Sequence, residues 1–145
     1  MEVRDAVEAD ADDLAAIVDA PADVMRNVVH DRTVRVAVRR DEPGPNADVE
    51  TEDGESILGF VSFDAREDTV YVTQLGGTTD ACERLLGEPV RFATNERMTV
   101  ELFVEADDDA LRSAVEGAGF GHDGTGPSFD GQRTVKYRLD PKRRE

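Results

Sequence analysis

The chain has 145 residues, 39% of them apolar, and its 17 basic side chains face 33 acidic ones for a formal charge of −16. That length can bury a core without metal or disulfide support, and the acidity argues against nucleic acid and anionic membrane surfaces as partners. No apolar run reaches the ~18 residues that a membrane span needs, and Met1-Glu2-Val3-Arg4-Asp5 lacks the pattern of a secretory leader, so the expected location is the cytoplasm.

Only Lys136 and Lys142 among the basic residues are lysines. Scarce lysine with abundant Asp and Glu points to a halophilic, salt-adapted protein: at molar salt the Debye length falls to ~3 Å, and carboxylates form a hydrated coat with little mutual repulsion. A surface carboxylate is therefore coat before it is catalyst. The single Cys82 forms no intramolecular disulfide, which fits a reducing compartment. With His30 and His122 as the two histidines, no Cys/His metal cluster is expected, and no P-loop, nucleophile elbow or H-E-x-x-H motif is present.

In chain order, residues 2–7 read as a first strand with Val3 and Val7 on one face. A helix starts near Asp10 or Ala11 with acids in its first turn and Leu14, Ile17 and Val18 at helical spacing. Pro21 opens a second helix that buries Val24, Met25, Val28 and Val29. Residues 33–39 alternate Val34, Val36 and Val38 with Arg35, Ala37 and Arg39, the pattern of a half-buried strand. The stretch 40–56, rich in acids, proline and glycine, reads as a mobile acidic loop. Strands follow at 57–63 and 69–75, joined by a five-residue turn over 64–68 into an antiparallel hairpin.

After Gly76-Gly77-Thr78-Thr79 a helix begins near Asp80, with Cys82, Leu85, Leu86, Val90 and Ala93 as its stripe and a break expected at Gly87 and Pro89. A fifth strand covers 98–104. Asp107 or Asp108 caps a helix with Leu111, Ala114, Val115 and Ala118 inward, which Gly117 and Gly119 end. The last strand carries Val135, Tyr137 and Leu139, an extra short strand fits around 120–122, and 141–145 is a charged tail. The order β-α-α-β-β-β-α-β-α-β describes one α+β domain over 1–140, with a mixed, mostly antiparallel sheet of six to seven strands and helices on both faces.

The junction from Val70 to Asp80 is the most informative stretch. A strand runs into two glycines and then a helix N-terminus, so bare backbone amides and a favourable dipole are available to an anion without any basic side chain. A plain strand-to-helix turn uses glycines in the same way, to relieve strain.

Taken together, the ordered elements resemble the GNAT superfamily of acetyl-CoA-dependent N-acyltransferases over nearly the whole chain. Val3-Arg4-Asp5-Ala6 and Ala9-Asp10-Ala11-Asp12-Asp13-Leu14 look like its first strand and helix, and Ile57-Leu58-Gly59-Phe60-Val61 like its third strand. Gln74-Leu75-Gly76-Gly77-Thr78-Thr79 fits its Q/R-x-x-G-x-G/A phosphate loop except at Thr79, and residues 110–120 (ALRSAVEGAGF) look like its fourth helix. The resemblance implies that strands four and five splay apart and that acetyl-CoA, or CoA, lies in the opening. Its pantetheine arm would pair with the backbone of Val72, Thr73 and Leu75, and its diphosphate would sit on amides from Gly76, Gly77, Thr78, Thr79 and Asp80, with Arg84 or Arg112 as screening cations. It further implies an amine acceptor, on a small molecule or a protein, and a homodimer.

Three departures mark the chain. Val115 stands where the family often places a proton-donating tyrosine, Asp108 where an asparagine is common, and no glutamate occupies the fourth strand, whose polar residues are Tyr71, Thr73 and Gln74. Glu101 and Tyr137 are the remaining candidates for proton transfer, each with an alternative reading as an exposed strand carboxylate and a packed tyrosine. Cys82 reads as core, and His30 and His122 as surface groups. The expected activity is N-acetyl transfer; a catalytically degenerate CoA-binding module is the alternative.

Overall fold

The apolar residues of the central strands alternate between two faces, and each face collects its own helices. The structure, a computed structural model, describes residues 1–40, 55–128 and 131–141. In order the elements are β1 (Glu2–Asp5), a 3₁₀ turn (Glu8–Asp10), α1 (Ala11–Val18), α2 (Ala22–Asp31), β2 (Thr33–Arg40), β3 (Glu55–Arg66), β4 (Thr69–Gly77), α3 (Thr79–Glu96), β5 (Thr99–Glu105), α4 (Asp109–Gly117), β6 (Gly121–Thr125) and β7 (Thr134–Leu139). The strands form one sheet in the order β1-β2-β3-β4-β5-β7-β6. Among the described residues only the β4–β5 pair is parallel. The expected α+β architecture, with its extra strand after Phe120, is met. The loop placed at 40–56 and the tail at 141–145 fall almost wholly outside the described residues.

On one side of the sheet Val36, Val38 and Phe60 pack with Leu14 and Met25 of α1 and α2. On the other, Ala37, Val61, Val70, Val100 and Tyr137 pack with Leu85 and Leu86 of α3 and Val115 of α4. Successive residues such as Val36 and Ala37 thus serve opposite cores, as the two-residue period of a strand requires.

Three expectations about elements are corrected. The first strand ends at Asp5 rather than continuing to residue 7, because the Asp10 carboxylate accepts the Val7 amide proton at 2.8 Å and draws the chain into the 3₁₀ turn, leaving Val7 exposed. The hairpin turn is Glu67-Asp68 rather than 64–68: Arg66 pairs with Thr69, and Glu67 adopts φ 55°. α3 runs unbroken through Gly87 and Pro89. Pro89 removes one helical hydrogen bond, but it is itself buried along with Leu85, Leu86 and Ala93, and packing of that stripe outweighs local propensity.

Arg4 clamps the same Asp10 with two hydrogen bonds of 2.9 and 3.0 Å. Burial raises the Asp10 pKa, but its bonds to Arg4 and the Val7 amide and the Arg4 charge outweigh that, and the net shift is downward. A carboxyl lowered on folding adds stability above its unfolded pKa of ~4, and that stability is lost as pH falls through the folded value. Asp10→Asn is therefore expected to flatten the acid limb of a stability-versus-pH curve below about pH 4, as followed by denaturant melts. A limb as steep as wild type would refute the assignment.

Candidate active site

The site arises where one strand leaves its neighbour. β4 and β5 pair only at Thr69–Thr99, Val70–Val100 and Tyr71–Glu101. In the ladder to β3, Val72 faces Phe63 and Gln74 faces Ser62, so Thr73 is a supernumerary residue without a partner. A bulge bends and twists the strand that carries it, and here the bend follows the last β4–β5 pair. Thr73 is held there by its hydroxyl, 2.5 Å from the Ser62 hydroxyl and donating to the Ser62 carbonyl at 3.2 Å.

Beyond the bulge lies a cleft of about 380 Å³ between Val72–Leu75 and Leu102–Glu105, closed by Val18 of α1 and by Asp108 and Leu111. It adjoins a hollow of about 270 Å³ at the end of β4, lined by Gly76, Gly77, Thr79, Cys82 and Asp108 among others. Leu75, Val18, Asp108 and Leu111 line both. Among the described residues the charged lining is carboxylate: Asp108 in the hollow, Asp108 and Glu105 in the cleft.

The diglycine differs from a loop. Gly76 and Gly77 are the last rungs of β4, opposite Phe60 and Gly59, and Thr78 alone separates them from α3. A Cβ on Gly77 would lie 2.3 Å from the Leu58 carbonyl oxygen, and one on Gly76 would lie 2.9 Å from Ile17 Cγ2. Both glycines are thus required by close packing of β4 on β3 and α1. The Thr78 amide, expected to be open, donates to the Leu58 carbonyl at 3.0 Å. The Thr78 hydroxyl accepts from the Ala81 amide at 3.1 Å, and its carbonyl accepts from Cys82 at 2.9 Å. Helix geometry leaves the first-turn amides of Thr79 and Asp80 without an intrahelical acceptor.

The two proton-transfer candidates lie elsewhere. Tyr137 is 0% exposed; its hydroxyl donates to Glu116 at 2.6 Å and accepts from Arg112 Nε at 3.0 Å. Burial is the main cause of its raised pKa. It does not line the cleft, because it shares a strand face with Val135 and Leu139, alternating with Lys136 and Arg138, and that face packs on α4. Glu101 is ion-paired with Lys136 at 3.3 Å and is also absent from the cleft lining. Glu105, four residues on and on the same strand face, is the glutamate that lines it. Sequence reasoning missed Glu105, although the Glu101–Phe103–Glu105 alternation was its signal.

Neither arginine proposed for phosphates lines the hollow: Arg84 is exposed on α3, and Arg112 is held by Tyr137 and the Ala106 carbonyl. His30 is exposed beside Glu8, and His122 packs edge-on against the Tyr137 ring. Cys82 lines the hollow with its thiol pushed up to about 11, first by burial and then by the Asp108 charge. Gln74 Oε1 is buried beside the cleft without a hydrogen-bond partner among the described residues.

No protein-family model and no curated protein matches the sequence. Solved structures match in shape. A Desulfovibrio desulfuricans protein described as a GNAT-family acetyltransferase is 17% identical over 97% of this chain and 98% of that one, with a TM-score of 0.69. Ribosomal-protein-alanine N-acetyltransferase from Brucella melitensis is 15% identical, covering 97% and 99%, with a TM-score of 0.70. Arabidopsis thaliana NAA60 in complex with acetyl-CoA is 17% identical, covering 95% and 97%, with a TM-score of 0.71. The chain has the fold of the GNAT acetyltransferases.

Proposed function

We propose that this chain is an acetyl-CoA-dependent N-acetyltransferase of the cytoplasm of a salt-adapted cell, acting on the amine of a small molecule or a protein. The observation that carries the reading is the Thr73 bulge, which ends the β4–β5 ladder at Tyr71 and leaves a cleft that runs into a hollow beside the α3 N-terminus. NAA60, which shares the fold, is described in complex with acetyl-CoA.

The residues present fit that coenzyme in shape. Backbone edges of Val72, Thr73 and Leu75 face a gap where a strand is missing, which suits an extended pantetheine arm. Gly76 and Gly77 present no Cβ, and the Thr79 and Asp80 amides stand at a helix N-terminus, which suits a diphosphate. The coenzyme, when bound, supplies an acyl group activated as a thioester. The chain would contribute position and charge: β4 would orient the arm, Leu102, Val104 and Leu111 would exclude water, and Glu105 would draw a cationic amine to the cleft and take up its proton as the C–N bond forms and the thioester C–S bond breaks, the thiol leaving with the coenzyme.

A second reading, a CoA-binding module without turnover, is favoured by two observations: Tyr137 is locked between Glu116 and Arg112, and Val115 is buried. Calorimetric titration with CoA in molar KCl, followed by acetyl-CoA turnover over a panel of amines, separates the two. We expect binding and slow turnover that favours cationic amines. Binding with zero turnover on every amine selects the second reading, and no binding at millimolar coenzyme overturns both.

A further inference from the structure

Among the described residues one charged side chain, Asp108, lines the hollow at the end of β4. Its Oδ1 accepts the Leu111 amide proton at 3.1 Å, which fixes the carboxylate at the head of α4. The same residue lines the cleft, and among the described residues neither space is lined by Lys, Arg or His. The raised Cys82 thiol registers the Asp108 charge inside the hollow.

We propose that Asp108 makes the coenzyme affinity of this chain rise with ionic strength. The proposal rests on the reading of the hollow as a diphosphate site. A basic phosphate site attracts its ligand through charge and weakens as salt is added. Here attraction comes from amide dipoles at hydrogen-bond range, which salt screens little. Asp108 makes no hydrogen bond to that anion and repels it through space from the wall of the hollow, which salt screens. With a Debye length of ~10 Å at 0.1 M the repulsion is felt; at ~3 Å, near 1 M, most of it is gone. Asp108 is thus a specificity residue, holding off a polyanionic donor in dilute buffer while leaving the uncharged pantetheine half unaffected.

The test is calorimetric titration of the full chain with CoA and, separately, with pantetheine at rising KCl, over the range in which circular dichroism shows it folded. The ratio of the two affinities removes general salt effects on apolar contacts. For the wild-type chain that ratio is expected to rise roughly three- to tenfold between 0.1 and 2 M KCl. Asp108→Asn keeps an oxygen for the Leu111 amide while removing the charge. It is expected to bind CoA about three- to tenfold more tightly at 0.1 M and to lose most of the rise. Glu96→Gln, on the last residue of α3 and roughly 25 Å from its N-terminus, should keep the wild-type slope. A flat or falling wild-type ratio, or an equal rise in Asp108→Asn, overturns the proposal and leaves the coenzyme site standing. Failure of both proteins to bind CoA at any salt overturns the site itself.

Discussion

Gly77→Ala is expected to destabilise the fold by about 3 kcal/mol or more and to abolish coenzyme binding. The residue adopts φ 124°, where an L side chain is strained, and its new Cβ would lie 2.3 Å from the Leu58 carbonyl oxygen and 2.4 Å from Gly59 Cα. Those contacts are backbone, so no side-chain rotation relieves them. Either β4 moves off β3, which displaces Thr78 and the start of α3, or the strand end frays; each outcome dismantles the hollow. At ~3 °C of melting temperature per kcal/mol for a domain this size, the drop is roughly 10 °C. Gly87→Ala provides the opposite sign, since nothing lies within 4 Å of its added Cβ and α3 gains roughly 0.5–1 kcal/mol. Paired thermal melts of the two variants check the claim, and a Gly77→Ala protein as stable as wild type would contradict the described approach of β3 and β4.

Tyr137 carries the second large effect. Truncation to alanine should cost about 3–5 kcal/mol, because a fully buried ring is removed from the α3–α4 core. Tyr137→Phe keeps the ring and removes bonds to Glu116 and Arg112, with an expected loss of about 0.5–1.5 kcal/mol. Acetyl-CoA turnover of the phenylalanine variant should stay within about twofold of wild type once its folded fraction is matched. A hundredfold loss would instead return Tyr137 to the reacting groups. Urea melts and initial rates on the same preparations separate the packing contribution from the chemical one.

The order of elements was legible because each carries its own period: Val34, Val36 and Val38 mark a strand, and Leu111, Ala114, Val115 and Ala118 mark a helix. The side of the sheet on which Tyr137 lies was legible too, since Val135 and Leu139 flank it at even spacing. What did not show in the residues was the end of a ladder. Thr73 has no chemical mark of a bulge, so nothing local said that β4 and β5 part after Tyr71 and Glu101, and hence that Glu105 rather than Glu101 would reach the opening. The run through Pro89 was hidden for a different reason: it depends on a buried stripe whose partners are distant in sequence. In the sequence the diglycine stands out for its bare amides, while its close contacts with Leu58 and Ile17 exist only once both neighbours are in place.

The bulge at Thr73 also resets the parity of its strand. Val70 and Val72, two apart, share the α3 side of the sheet, but the next residue on that side is Leu75, three further on, while Gln74 reaches Met25 on the other. One inserted position therefore exchanges inside for outside along everything downstream. A strand of eight residues in place of nine would keep its rhythm against β3. The opening in this molecule is, in that sense, a frameshift written in space rather than in the gene.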